Sequence, residues 1–267
     1  MDSEEKKVVG MEVKIPDCVD KTIENLTAPL AKSVGTTLAD LWYLVFGSIS
    51  TSAEKKRIIQ ETALENFKNN LKKRIETIQE DKLVMPDTQI VGGALYDSRF
   101  CVDKDALRSM FENLIASSLS SDTVSNVHPS FSGIIRQMTC EDAHMLARFK
   151  TVQALPIVSY LLSRKEGSNL TLYNNVITAS QDVSRLKFES LSLECLQSLG
   201  LLTLCYTQHL TDESKYTPLI TAPCFQKLKQ HITEHPEIYP EASFMNYHKG
   251  IAFLTDLGIQ FISICMP

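Results

Sequence analysis

The chain has 267 residues, of which 43% are hydrophobic and 22% are charged, and its formal net charge is −5. A chain dominated by nucleic-acid binding usually carries a strong excess of basic residues, so this balance argues against that class. The seven cysteines are scattered without a Cys-x-x-Cys pair. This pattern favours free cytosolic thiols over a disulfide framework or a cysteine zinc site.

The first predicted helix starts near Pro29, because proline is tolerated in a first helical turn. The residues before it are charged and lack the apolar region of a signal peptide. Its apolar run LWYLVF is too short to cross a bilayer, so the helix either packs on the rest of the chain or lies at a membrane surface. We therefore expect a cytoplasmic protein, free or peripheral to the inner membrane. The candidate membrane-contact residues are Leu38, Leu41, Trp42, Val45 and Phe46.

The clearest predicted helix covers residues 53–82. Its apolar residues form a near-heptad stripe, which predicts a helical partner in the same chain or in a second subunit of a homo-oligomer. Basic residues on its polar side alternate with glutamates, which favours a solvent-exposed face over a groove for nucleic acid or anionic lipid. The stripe consists of Leu64, Phe67, Leu71, Ile75 and Ile78.

Residues 86–149 carry the most specific pattern in the chain. Gly92 and Gly93 predict a turn that leads into a small helix. Asp103 is expected to cap a longer helix, whose apolar residues recur with helical spacing as far as Leu119.

The segment NVHPSF joins this helix to the next one. Pro129 breaks the helical pattern, and Ser130 is expected to cap the short helix that follows. Thr139 and Asp142 have the spacing of a capping box at the start of a third helix. His128 has the side-chain type of a general base, but no nucleophile or acid is placed beside it by spacing. A ring that hydrogen-bonds the backbone and holds the turn is therefore favoured over a catalytic one.

The order PDTQIVGGAL, LRSMFENLIASSLSSDT and NVHPSFSGIIRQMTCEDAHML resembles the bacterial abortive-infection alpha family, a domain of unknown function. Cys140 stands where the family pattern has a proline, which weakens the helix start. The resemblance implies a phage or prophage context and a defence-type role, and it supplies no established catalytic residue. The matching residues are Phe111, Leu114, Ala116, His128, Pro129, Ser130, Phe131, Ile134, Ile135, Asp142 and Ala143.

The C-terminal half alternates between helical and strand-like segments. Residues 152–162 form an apolar run that contains Pro156, and the periodicity of residues 170–177 leaves strand and helix open. Residues 182–198 predict a helix that ends at Gly200, and LLTLCY after it is strand-like. A further helix is expected from Pro223, followed by a strand, a turn and a final helix or strand.

This order resembles winged-helix domains, in which the helix before the first wing strand reads DNA. That helix would present Arg185 and Lys187 as candidate nucleic-acid contacts. Glu189 and Glu194 lie on the same helix, and acids make a poor surface for phosphates. The module is therefore favoured as a protein-interaction or structural unit, with DNA binding as the alternative.

The sequence contains no P-loop, no dinucleotide-binding glycine motif and no nucleophile elbow. His231 and His235 have helical spacing, but the segment HITEH lacks the central glutamate of a metalloprotease helix. We therefore expect no catalytic residue, no cofactor and no metal.

These observations predict a mainly α fold with an N-terminal helical region and a C-terminal winged-helix-like α+β module. The expected divisions are residues 1–85 with amphipathic helices, 86–138 with the family-like motif, and 139–267 with the module. The predicted function is that of a non-enzymatic phage-defence protein that acts through a protein partner and at a membrane surface. The alternative is a nucleic-acid-binding regulator that uses the C-terminal module.

Overall fold

The apolar periodicity of the N-terminal half produces helices, and the sheet follows them. The structure is a computed structural model that describes residues 29–47, 54–239 and 241–267. The first twenty-eight residues, including the predicted charged lead-in, lie outside the described part. The helices before the sheet are α1 (Pro29–Phe46), α2 (Glu54–Glu76), α3 (Gly93–Ser98), α4 (Asp105–Ser118), α5 (Ser130–Gln137) and α6 (Cys140–Ala147).

The C-terminal part combines an antiparallel sheet with helices, which confirms the predicted mainly α chain with strands towards its end. Residues 170–177, left open by periodicity, fall largely within the second strand. The elements are β1 (Ala154–Arg164), β2 (Asn169–Val176), α7 (Val183–Ser198), β3 (Leu202–Cys205), α8 (Thr217–Ile220), α9 (Pro223–Glu234), β4 (Ala242–Leu254) and α10 (Asp256–Cys265).

Helix α4 is the centre of the helical half, because α2, α3, α5, α6 and α10 all pack against it. Its apolar residues, such as Phe111 and Leu114, are almost completely buried, and each contributes roughly 1.5–3 kcal/mol of hydrophobic stabilisation. Asn113 donates its side-chain N–H to the carbonyl of Cys265 at 2.9 Å, which ties α4 to the end of α10. The predicted cap at Asp103 is wrong: Lys104 occupies the N-cap position without a side-chain cap.

The predicted apolar stripe of α2 packs within the chain. Phe67, Leu71 and Ile75 are buried in the same core as α4, and Leu64 and Ile78 are packed against that core. The stripe therefore has its helical partner in the chain and gives no support to a contact between subunits. Self-association stays a prediction.

The sheet has the strand order β2-β1-β4-β3, with every neighbouring pair antiparallel. Its two faces carry separate cores. Ile157 on β1 faces the core shared with the helical half, whereas Val158 and Tyr160 face a second core with α8 and α9. The Tyr160 hydroxyl donates to the carbonyl of Leu219 at 2.6 Å, which satisfies a buried polar group.

The winged-helix assignment is not confirmed. Gly200 has φ 77° and ends α7 as predicted, and β3 after it pairs with β4. However, α8 and α9 lie between these two strands in the chain, and the longest pairing of β4 is with β1.

A buried carboxylate connects α2 to α4. The Glu112 side chain is 1% exposed. Arg74 donates to its Oε2 through Nε and Nη2, both at 3.3 Å, and Asn70 donates to its Oε1 at 3.2 Å. Arg108 lies 3.7 Å away on the same helix. Burial raises the pKa of Glu112, while Asn70 and Arg74 act in the opposite direction.

We expect Glu112→Ala to lower the free energy of unfolding by roughly 1–3 kcal/mol, because it leaves the side-chain N–H groups of Asn70 and Arg74 without their acceptor. Folding raises the pKa of Glu112. The contribution of this group to the free energy of unfolding is therefore fully present below pH 4.5, its ordinary pKa, and is lost as the pH rises through the raised pKa. Glu112→Gln cannot ionise, so it should make the free energy of unfolding less dependent on pH over this range. Urea unfolding at several pH values measures both effects, and an unchanged profile for Glu112→Gln would contradict the assignment.

Candidate functional site

The His-Pro-Ser-Phe segment forms the turn before α5. The Nδ1 of His128 accepts the backbone N–H of Ser130 at 3.2 Å and lies 2.7 Å from the Ser130 hydroxyl oxygen. Ser130 is therefore the first residue of the helix and not its cap, and the histidine ring takes the capping role. In the described residues no carboxylate contacts this ring, so the geometry favours the turn-holding interpretation.

Phe131 anchors the same turn to the C-terminal part of the chain. Its side chain is completely buried, and its ring lies edge-on to Phe261 of α10 with 5.2 Å between centroids. His128, Pro129 and Ser130 remain exposed. The His-Pro-Ser-Phe segment is thus fixed to α10 by its buried phenylalanine, while its other three residues face solvent.

The other family-like segment, around Gly92 and Gly93, lies beside this turn. The two glycines are helical, not a turn as expected, and α3 begins directly at Gly93. A Cβ atom at Gly93 would lie 3.7 Å from the hydroxyl of Ser132 on α5. Helix α3 therefore packs closely on α5, and two of the three segments that carry the resemblance lie side by side.

Two aromatic rings are exposed to solvent near the contact of α3 with α5. One belongs to α3 and the other lies two residues after its end. Tyr96 is 50% exposed and Phe100 is 56% exposed, and their ring centroids are 5.9 Å apart. The Arg99 guanidinium lies 5.4 Å from the first ring and 5.7 Å from the second. We call Tyr96, Arg99 and Phe100 the α3 aromatic surface. Sequence reasoning missed it, although the segment YDSRF places both rings four residues apart.

The predicted membrane-contact residues lie on the inner side of α1. Leu38, Val45 and Phe46 are buried, and Leu41 and Trp42 pack on the same core. The Trp42 ring lies 5.3 Å from that of Phe67 on α2, so this apolar face is already covered by protein. The large apolar side chains that α1 leaves exposed are Leu30, Tyr43 and Leu44.

In the described residues, no helix combines the length and the apolar character needed to cross a bilayer. The same residues contain no group of three or more histidine, cysteine, aspartate or glutamate side chains that could hold a metal ion. His231 and His235 do lie close together, with ring centroids 4.6 Å apart.

Helix α7 does not bring the two predicted nucleic-acid contacts together. Arg185 donates from Nε to Glu189 at 2.9 Å and lines a cleft between α6 and α7. Lys187 is exposed but does not line this cleft. Nucleic-acid contact through this pair stays a prediction. The α6–α7 cleft is lined by Glu141, His144, Met145, Arg148, Thr178, Arg185, Phe188, Glu189 and Ser192.

Comparison with known proteins adds a family match. The family model described as Abortive infection alpha matches residues 59–265. The chain has no significant match among curated proteins. A solved structure of an uncharacterized protein from the hydrocarbon-degrading marine bacterium Alcanivorax borkumensis is similar, with 15% identity and a TM-score of 0.31. That similarity covers 55% of this chain and 96% of the other.

We expect His128→Ala to lower the free energy of unfolding by about 1 kcal/mol, because the first N–H of α5 loses its side-chain acceptor. His128→Asn should restore most of this loss, since asparagine is a good acceptor at a helix start. Urea unfolding of the three proteins tests the assignment. Identical midpoints for all three would show that the ring does not hold the turn.

Proposed function

The chain belongs to the abortive infection alpha family, and from this premise we propose that it is a non-enzymatic phage-defence protein that acts by contacting a protein partner. Family membership supports the abortive-infection-like role. The geometry of the His128 turn supports a role without catalysis, since the ring is used to hold the backbone of Ser130.

The observation that carries the protein-contact role is the α3 aromatic surface. Tyrosine and arginine are the residue types most enriched among side chains that dominate binding energy at interfaces, and exposed aromatic rings add apolar contact area. Arg99 stacks beside two rings and forms no ion pair with a carboxylate in the described part of the chain. A partner that presents an acidic side chain next to an apolar one fits this surface.

We expect the double substitution Tyr96→Ala and Phe100→Ala to abolish most protection in a phage plaque assay. One truncated hot-spot residue weakens binding by about 2 kcal/mol, or roughly thirtyfold in affinity. Because both rings are at least half exposed, the variant should keep the wild-type unfolding midpoint.

Phe244→Ala is the matched control, because Phe244 is 57% exposed on β4, away from α3. The control should protect like the wild type. Full protection by the folded double variant would show that this surface is not used.

We also propose that the outer side of α1 touches a membrane surface. Leu44 is 76% exposed, more than any other large apolar side chain in the described residues, and Tyr43 beside it is 51% exposed. Tyrosine and leucine at the edge of a helix suit the interface of a bilayer, where a ring can keep its hydroxyl in water. This contact replaces the inward-facing residues that the sequence pattern suggested.

We expect the wild-type protein to float with anionic liposomes and Leu44→Asp to remain in the dense fraction. The exposed position of Leu44 means that the substitution should not unfold the chain. Leu191→Asp is the control, because Leu191 is 56% exposed on α7. If the wild type does not float, or if both variants behave alike, the membrane contact through α1 is wrong.

A further inference from the structure

The α6–α7 cleft is formed by two helices that face each other with matching spacing. Each helix contributes four residues at positions i, i+3, i+4 and i+7, which lie on one side of a helix. The cleft has a volume of ≈ 420 Å³, within the range of small-molecule sites. The two sets of four are Glu141, His144, Met145 and Arg148 on α6 and its C-cap, and Arg185, Phe188, Glu189 and Ser192 on α7.

One cation of the cleft is held in a fixed orientation. Arg148 donates from Nη1 to the Thr178 hydroxyl at 3.1 Å and from Nη2 to the carbonyl of Ile177 at 3.2 Å. Burial lowers the pKa of Arg148 and the charge of Arg185 lowers it further, while Glu189 raises it. Two guanidinium groups therefore share one nearby carboxylate, and an anion placed between them would relieve their repulsion.

The second cation remains available to a ligand. Arg185 uses its Nε for Glu189, and its side chain is 63% exposed. In the described residues its two terminal nitrogens donate to no protein acceptor, so their N–H groups are available to a ligand. The planar fork of a guanidinium matches the oxygens of a phosphate group. His144 adds an exposed donor one turn before Arg148.

The rim of the cleft carries an exposed aromatic ring. Phe188 is 69% exposed although it is a large apolar side chain. Below it, the Oε2 of Glu189 is buried and has no hydrogen-bond partner in the described residues. An unpaired buried carboxylate oxygen is costly. A ligand that stacks on the ring of Phe188 would lie in the same cleft as this carboxylate.

We propose that the α6–α7 cleft binds a nucleotide, with its phosphate on Arg148 and Arg185 and its base stacked on Phe188. Aromatic stacking accepts any base and arginine binds the phosphate, so the nucleotide can be free or part of a single strand. Glu141 and Glu189 disfavour the dense phosphates of a duplex. The site shares no residue with the α3 aromatic surface, so it stands independently of the protein-contact role.

The test is calorimetric titration of the full chain with guanosine monophosphate, adenosine monophosphate, inorganic phosphate and a single-stranded eight-residue thymidine oligonucleotide. We expect a mononucleotide to bind more tightly than phosphate alone, because the base adds stacking. Phe188→Ala should weaken nucleotide binding roughly tenfold, and Arg185→Ala should weaken it by a similar factor. Lys187→Ala is the matched control for the mononucleotides, since Lys187 lies on α7 outside the cleft, and it should bind them like the wild type.

Each outcome decides the proposal. Preferential binding of the oligonucleotide identifies the source as single-stranded nucleic acid, and preferential binding of a mononucleotide identifies it as a free nucleotide. Absence of binding at millimolar nucleotide overturns the proposal. It is also overturned if Lys187→Ala weakens binding as much as Arg185→Ala, since the effect is then one of overall charge. The exposed positions of Phe188, Arg185 and Lys187 make unfolding of these variants unexpected, and circular dichroism checks it.

Discussion

The helical half depends on the hydrogen bonds that converge on one buried carboxyl group, that of Glu112. The Glu112 carboxylate cannot remain ionised unless donors reach it. Those donors, Asn70 and Arg74, come from α2, while the charge of Arg108 on α4 lies 3.7 Å away. An apolar interface between these helices would tolerate sliding, because one leucine packs on another nearly as well in several registers. The hydrogen bonds of Arg74 and Asn70 allow one register only. In that register Phe67 of α2 meets Trp42 of α1.

Local chemistry was predicted only in part: the caps at Asp103 and Ser130 were wrong, whereas one capping box was right. The capping box of Thr139 and Asp142 forms as expected, because both partners lie within one helical turn. The stripe of α2 was also predicted, but its partner was not, since periodicity identifies an apolar face without naming what covers it. The same limit left two alternatives open for α1: lipid and a protein core demand the same apolar residues, and in the structure Trp42 packs on Phe67 of α2.

The candidate sites were less predictable because they depend on tertiary packing. Arg185 and Lys187 are two residues apart, and residues at that spacing face different sides of a helix. Arg185 instead lines the same cleft as Arg148, which lies thirty-seven residues earlier in the chain. The α3 aromatic surface was missed for another reason. A helix of six residues is too short to show a periodic pattern, so its exposed rings could not be separated from core residues.

Helix α10 gives the folding of this chain a particular order. Helix α10 packs on the apolar side of α4 that the other helices leave open. The hydrogen bond from Asn113 to Cys265 joins residues that lie 152 positions apart in the chain. A ribosome that has finished α4 must still synthesise the whole sheet before that cover exists. During this interval the apolar flank of α4 is open to chaperones and proteases, and long-range closure of this kind slows folding. Interrupted translation before α10 would therefore yield a fragment in which this apolar flank stays uncovered.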